Sequence, residues 1–214
     1  MTKDNKEISK ATLNRLPSYL KYLYQLDKLN VATVSSTTIA NGLNLNPVQV
    51  RKDIALVSSV AGKQKMGYVT KEIIADLESF LGYNNTHDAV LVGVGGLGKA
   101  FLGYGGFENY GLNIVAAFDN NDRIVNTKIN GKPVYDVSKL KEIVERFNIQ
   151  IGIITVPAYA AQEVADRMVG AGIKAIWNFA SVHLNIPSNV ALKNEDLASS
   201  LALLSLQIQQ TRND

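Results

Sequence analysis

Asp88-Ala89-Val90-Leu91-Val92-Gly93-Val94-Gly95-Gly96-Leu97-Gly98-Lys99-Ala100-Phe101-Leu102 begins as an apolar run, breaks into Gly-x-Gly-x-x-Gly and resumes at helical spacing. Ala89 to Val92 read as a buried strand and the residues after Gly98 as a helix. A second apolar run, Ile114 to Phe118, ends on Asp119, 21 residues beyond Gly98. Strand, glycine turn, helix, and a second strand closed by an acid are the layout of a dinucleotide-binding βαβ unit. Gly93 permits the tight turn, Gly95 lets the backbone approach a pyrophosphate, and Gly98 lets helix and strand pack closely. Val94, Gly96 and Leu97 complete the turn, and the helix N-terminus behind it offers unpaired N–H groups and a positive dipole end to the phosphates. The plainer alternative, glycines that serve only turn and packing, is outweighed by strand, helix and acid occurring together.

Asp119 chooses among cofactors. A carboxylate accepts hydrogen bonds from the ribose hydroxyls of NAD(H), whereas the extra phosphate of NADP(H) meets a like charge. Arg123 is close in sequence and softens that repulsion only if its loop points it there, so NAD(H) is the expected cofactor. Further along, Ile151 to Pro157 reads as a buried strand ending in Thr155-Val156-Pro157, followed by a helix from Ala158 to Gly170. Lys174 to Phe179 is another strand, ending at Asn178-Phe179. In open parallel sheets ligands bind beyond the carboxyl ends of strands, so Thr155, Val156, Pro157, Asn178 and Phe179 are candidates to line the dinucleotide. Val134-Tyr135 reads as a short strand, Ser138 to Phe147 as an amphipathic helix and Asn189 to Leu192 as a last strand.

The 214 residues, 46% of them hydrophobic, suffice for one domain of ordinary size and a small one. There is no cysteine, which removes disulfides, thiolate metal sites, iron–sulfur clusters and cysteine nucleophiles. His87 and His183 stand alone, so no metal site is expected. No apolar run approaches the roughly 18 residues of a membrane span, and the polar N-terminus has no apolar segment behind it. A cytoplasmic protein without membrane association is therefore expected. The net charge of +3 is unevenly spread. Residues 1–83 carry 11 Lys and Arg against 7 Asp and Glu, a net +4, and the remainder is net −1. The excess positive charge lies where it can meet phosphate.

In that basic part, Leu16, Tyr19, Leu20, Leu23 and Leu26 recur at helical spacing, with Pro17 expected in the first turn. Val34 to Leu43 offers Ser or Thr caps, Ser36 among them, before a short helix closed by Gly42-Leu43. Asn46-Pro47 reads as cap and first residue of the next helix, to about Val57. Two short helices joined by a tight turn are the sequence form of a helix-turn-helix. Val50, Ile54 and Val57 face the core, leaving Gln49, Arg51 and Lys52 to enter a major groove. Gly62-Lys63-Gln64-Lys65-Met66-Gly67-Tyr68 follows as a hairpin-like wing whose lysines suit phosphate. Thr70 is expected to cap a last helix that Gly82 closes, and Tyr83 to His87 is the expected linker. At the chain's end, Leu197, Leu201, Leu204 and Ile208 recur at helical spacing, while Leu203 and Leu206 spread the apolar surface over more than one face. Such a helix needs burial on several sides, which suggests a homodimer.

The expected architecture is therefore α/β: an N-terminal winged helix-turn-helix domain over 1–83, a Rossmann NAD(H)-binding domain over 84–192 and a dimerisation helix over 193–214. No catalytic set is visible, and little chain remains for a substrate domain. An enzyme is not expected; the alternative is an NAD-dependent oxidoreductase with an N-terminal assembly module.

The chain resembles the Rex redox-sensing transcriptional repressors of bacteria over nearly its full length. The likeness rests on Ala11 to Leu20, Val48 to Asp53, Gly67-Tyr68, Val92 to Gly98, Ile114 to Asp119, Val156 to Ala158, Ala171 to Lys174, Asn178 to Ala180 and Asn194 to Leu197. It implies a homodimer that binds a palindromic operator, is released by NADH, and exchanges its terminal helix between subunits. By that likeness Arg51 and Lys52 read the major groove, and Arg15 with Lys63 and Lys65 contacts the backbone or minor groove. Ser36, Asn46, Gln49 and Tyr68 complete the expected DNA-contacting set. Tyr104 resembles a family tyrosine near the nicotinamide, Asp196 its switching partner, and Lys21 stands where an arginine can pair with that aspartate. The chain departs from the family pattern after Asp53 and in the wing, both in the DNA-contacting half.

Overall fold

The computed structural model describes residues 8–58, 67–83 and 87–211, which fall into two compact units, Met1–Asn85 and Thr86–Asp214. The wing lysines Lys63 and Lys65 and the linker residues Asn84 to Thr86 lie outside the described residues.

The first unit runs α1 (Lys10–Lys28), β1 (Thr33–Val34), α2 (Ser36–Leu43), α3 (Pro47–Val57), β2 (Tyr68–Val69) and α4 (Thr70–Leu81). β1 and β2 pair antiparallel, Val34 opposite Tyr68. Leu16, Leu20, Leu23, Ile39, Val50, Ile54, Ile73 and Leu77 form one buried core that joins all four helices. The boundaries follow local chemistry. Ser9, Ser35 and Asn46 cap α1, α2 and α3 through their side-chain oxygens.

Two expectations are corrected here. Pro17 is not in a first turn but in the interior of α1. The hydrogen bond it removes falls at Leu13, which is exposed, so water can satisfy that carbonyl. Thr70 does not cap α4; Val69 holds the cap position, and the Thr70 hydroxyl instead donates to the Val31 carbonyl at 2.6 Å. α2 closes on Gly42-Leu43 as expected, with Asn44 as its C-cap in the left-handed conformation, and a Cβ on Gly42 would strike the Tyr22 ring.

The second unit runs β3 (His87–Val92), α5 (Gly96–Gly103), β4 (Leu112–Asp119), β5 (Lys128–Ile129), β6 (Lys132–Asp136), α6 (Leu140–Phe147), β7 (Ile151–Ile154), α7 (Ala158–Gly170), β8 (Ala175–Asn178), β9 (Ala191–Asn194) and α8 (Leu197–Thr211). The sheet order is β5-β6-β4-β3-β7-β8-β9, parallel except for the β5–β6 hairpin. Apart from that hairpin strand, the order is that of a doubly wound dinucleotide-binding sheet. The direction of winding reverses between β3 and β7, which places a ligand crevice at their carboxyl ends. One face packs Val90, Phe118, Ile154 and Ile176 on α6 and α7. The other packs Leu91, Ala117 and Ile153 on α5 and an aromatic cluster.

The expected helix from Ser138 divides into a short 3-10 turn, Val137–Lys139, capped by Asp136, and α6. The last strand is displaced by two residues, to Ala191–Asn194, so the expected domain boundary at 192/193 falls inside the sheet. Among the described side chains of α8, Leu201, Leu204, Leu206 and Ile208 are all more than half exposed. Leu197 and Leu203 lie outside the residues whose side chains are described.

Candidate functional site

In the second unit a cleft of about 610 Å³ opens over the ends of β3, β4 and β7. Gly93, Val94 and Gly95 form one wall, Asp119 to Asn121 another, and Thr155, Val156 and Pro157 the third. The glycines explain its shape. A Cβ on Gly98 would lie 2.1 Å from the Gly93 carbonyl oxygen, and one on Gly93, at φ +103°, would strike Thr155 and Val156. These two therefore hold α5 against the strand ends. Gly95 and Gly96 face open space, and no side chain caps α5. The first N–H groups of that helix are thus left for an anion.

Asp119 ends β4 half-buried, its Oδ2 accepting from the Val94 N–H at 2.7 Å and its Oδ1 from the Asn121 N–H at 2.9 Å. A carboxylate has about four lone-pair sites, so both oxygens keep capacity for ribose hydroxyls. Thr155 lines the cleft and also donates to the Gly93 carbonyl at 2.7 Å, which locks β7 to the glycine turn. Chain geometry, glycine cradle and acid together fit an adenine dinucleotide.

Several expected residues stand elsewhere. Asn178 is fully buried, its amide donating to the Ala180 and Val182 carbonyls and to Asn194 Oδ1 and its oxygen accepting from the Ala180 N–H. It ties β8 to its loop and to β9 and does not line the cleft. Phe179 packs on Phe101, with ring centroids 4.7 Å apart, and on Trp177. Tyr104 is exposed, packs edge-on against Phe107, and borders a separate cavity of about 240 Å³. Neither Phe179 nor Tyr104 lines the dinucleotide cleft of its own protomer. Leu97 is half-buried in the first turn of α5. Asp196 caps α8, accepting from the Ala198 and Ser199 N–H groups. The Ser199 hydroxyl, and then its N–H, hold the Asp196 carboxyl below the usual carboxylate range.

Sequence reasoning missed Tyr159, Glu163 and Arg167, which α7 brings to the cleft. Their spacing along one helix face was the available signal. Tyr159 stands at the rim, 90% exposed, and Arg167 Nη2 is 2.8 Å from Glu163 Oε1.

In the first unit α3 presents Gln49, Arg51 and Lys52 on its exposed face. Asn46 is exposed and caps α3, with Oδ1 2.8 Å from the Val48 nitrogen, and Tyr68 is half-buried on β2. Ser36 is buried, which withdraws it from the expected DNA-contacting surface. Arg15 is half-buried. Its guanidinium turns inward, Nε 2.8 Å from Asp53 Oδ2 and Nη2 3.0 Å from Asp53 Oδ1. Asp53 is only 4% exposed and accepts in addition from the Tyr19 hydroxyl at 2.7 Å and the Thr12 hydroxyl at 3.1 Å. Burial alone would push the Asp53 carboxyl up, but the bonds from Arg15 and Tyr19 outweigh it and hold it below its ordinary value. Burial, with Asp53 as acceptor, pushes the Tyr19 phenol up to about 12. This buried network fixes α1 against α3.

Residues 84–182 match the family described as CoA binding domain, and residues 7–55 match Putative DNA-binding protein N-terminus. A redox-sensing transcriptional repressor Rex from Treponema denticola is 41% identical over 92% of this chain and 93% of its own. One from Carboxydothermus hydrogenoformans is 42% identical over 95% and 98%. The chain belongs to the Rex family. A Rex-family repressor called RSP, solved in complex with β-NAD+ and operator DNA, superposes with a TM-score of 0.91 at 36% identity, over 97% of this chain and 95% of RSP. The same protein solved with β-NADH gives 0.88 at 35% identity, over 97% of both chains. Rex likeness thus extends over both units.

Proposed function

We infer that this Rex protein is a DNA-binding transcriptional repressor that senses the NADH/NAD+ ratio, binding a palindromic operator and released by NADH. The observation that carries the reading is the presence in one chain of a helix presenting Gln49, Arg51 and Lys52 and a glycine-cradled cleft closed by Asp119. NADH and NAD+ share the adenosine and pyrophosphate and differ in the nicotinamide ring, which is neutral when reduced. The α5 N-terminus would hold the pyrophosphate, and Asp119 the adenosine ribose. A phosphorylated ribose, in NADP(H) or in coenzyme A, would meet the Asp119 charge. That argues against a CoA ligand despite the family description of residues 84–182.

For DNA, Arg51 and Lys52 would read the major groove, with the wing lysines Lys63 and Lys65 supplying phosphate contacts. The protein acts as a homodimer, since an operator palindrome mirrors a twofold protein. The exposed leucines of α8 offer the subunit contact. A regulator of this kind works in the cytoplasm, and no described helix is long and apolar enough to cross a membrane. Its output is a change in DNA affinity; no substrate is turned over.

Arg51→Ala and Lys52→Ala, tested by anisotropy on an operator selected from genomic DNA, are each expected to weaken specific binding and flatten sequence preference. Each lost base contact is worth about 1–3 kcal/mol. Unchanged affinity and preference in both would remove α3 as the reading element.

A further inference from the structure

Gln49 stands on the exposed face of α3, directly above the Arg15–Asp53 pair. With its carbonyl turned inward, Gln49 Oε1 accepts from both Nη1 and Nη2 of Arg15, each at 3.2 Å. The opposite orientation sets two amide hydrogens against a guanidinium, donor against donor. Arg15 cannot turn away to relieve that, because its Nε and Nη2 are held by Asp53 and Nη2 also by Thr12 Oγ1, at 3.2 Å. Asp53 is itself fixed by Tyr19 and Thr12. The orientation of a surface amide is therefore set by a half-buried arginine that a buried aspartate holds.

We propose that Arg15 is a positioning residue that makes Gln49 a donor-only reader of the major groove, selecting acceptor atoms (guanine N7 and O6, or thymine O4) and unable to form the two-bond pair with adenine. A free glutamine recognises adenine by donating to N7 and accepting from the N6 amino group. Here the accepting atom already serves Arg15, so only the amide hydrogens reach the groove. The proposal rests on α3 being the reading helix.

The test uses the full-length protein and operator duplexes carrying single-atom changes. 7-Deazaguanine removes the guanine N7 acceptor, 5-methyl-2-pyrimidinone in place of thymine removes O4 and keeps the methyl group, and purine in place of adenine removes the 6-amino group. Wild type and Gln49→Ala are titrated against each duplex. In each half-site, removal of one acceptor weakens wild type roughly five- to tenfold, the worth of one hydrogen bond, and leaves Gln49→Ala unaffected. Removal of the 6-amino group produces no Gln49-dependent loss at any adenine. Gln49→Lys, which can only donate, keeps the acceptor dependence, and Gln49→Glu loses it. Arg15→Gln with Asp53→Asn, which avoids a buried unpaired carboxylate, frees the amide and makes adenine's 6-amino group matter. A general loss of structure would not create that new sensitivity.

A Gln49-dependent loss on removing the 6-amino group in the wild type, or no Gln49-dependent position anywhere, overturns the proposal. Failure of the underlying reading looks different, because then wild type itself shows no sequence preference and Arg51→Ala changes nothing.

Discussion

Asp53 sits at the i+3 position from Val50 and beside Ile54, among positions that pack into the core. It is an acid where a hydrophobe is expected, and it survives there because three side chains of α1 donate to it. Removing one partner of a buried pair strands the other. Asp53→Ala is accordingly expected to destabilise the protein by about 3 kcal/mol, read from urea unfolding of the full-length chain, and to abolish specific DNA binding. The pH dependence has a definite sign. The folded Asp53 carboxyl titrates below its unfolded value of about 3.9, so its contribution is present above that pH and is lost as pH falls through the lower folded value. Tyr19 acts at the other end. Its phenol is raised to about 12, so its contribution is complete below an unfolded value of about 10 and disappears as pH rises toward the folded one. Tyr19→Phe should remove that alkaline slope in stability, and a slope left intact would contradict the assignment.

Also at this scale, Asp119→Ser should weaken NADH binding roughly tenfold, the worth of one charged hydrogen bond, and admit NADPH, measured by titration calorimetry. Equal rejection of NADPH by the variant would mean that Asp119 does not set the preference. Gly93, Gly98 and Asp119 were legible in the sequence because their spacing follows from steric and charge demands of one turn. Asp53, Arg15 and Asn178 were not. A charged or amide side chain reads as a surface group until its partner is known, and each partner lies far away in sequence or in an adjoining loop.

At the level of elements, hydrophobic periodicity located α1, α3, α4, β3, β4 and β7 well. Termini were harder where a tertiary contact competes with a local cap. Thr70 has the chemistry of a cap, yet a backbone carbonyl across the unit takes its hydroxyl. Pro17 suggests a helix start, yet Ser9 begins α1 a full two turns earlier. α8 is the element whose pattern pointed beyond its own chain. Leu201 and Leu204 are 65% and 53% exposed, apolar area that a partner subunit can remove from water at roughly 25 cal/mol per Å². Leu201→Lys with Leu204→Lys is expected to weaken dimerisation at least tenfold, on the order of 1.4 kcal/mol, as seen by sedimentation across a dilution series. Unchanged dimer at all concentrations would place the subunit contact elsewhere.

For the whole molecule, what matters is a difference in affinity. A nucleotide that binds the DNA-competent and DNA-incompetent states equally shifts nothing, however tightly it is held. A tenfold change in operator affinity needs about 1.4 kcal/mol of coupling, and that coupling is reciprocal, so operator DNA must weaken NADH binding by the same factor. The uneven charge, net +4 over 1–83 and net −1 over the remainder, and the glycine turn beyond it are visible in the sequence. A difference in affinity between two states is not visible there, because no local pattern encodes it. The most direct measurement is anisotropy of a labelled operator fragment at fixed salt, titrated with NADH and separately with NAD+. Release by NADH at concentrations where NAD+ leaves the complex intact is the predicted result; release by both alike, or by neither, would contradict redox sensing by this chain.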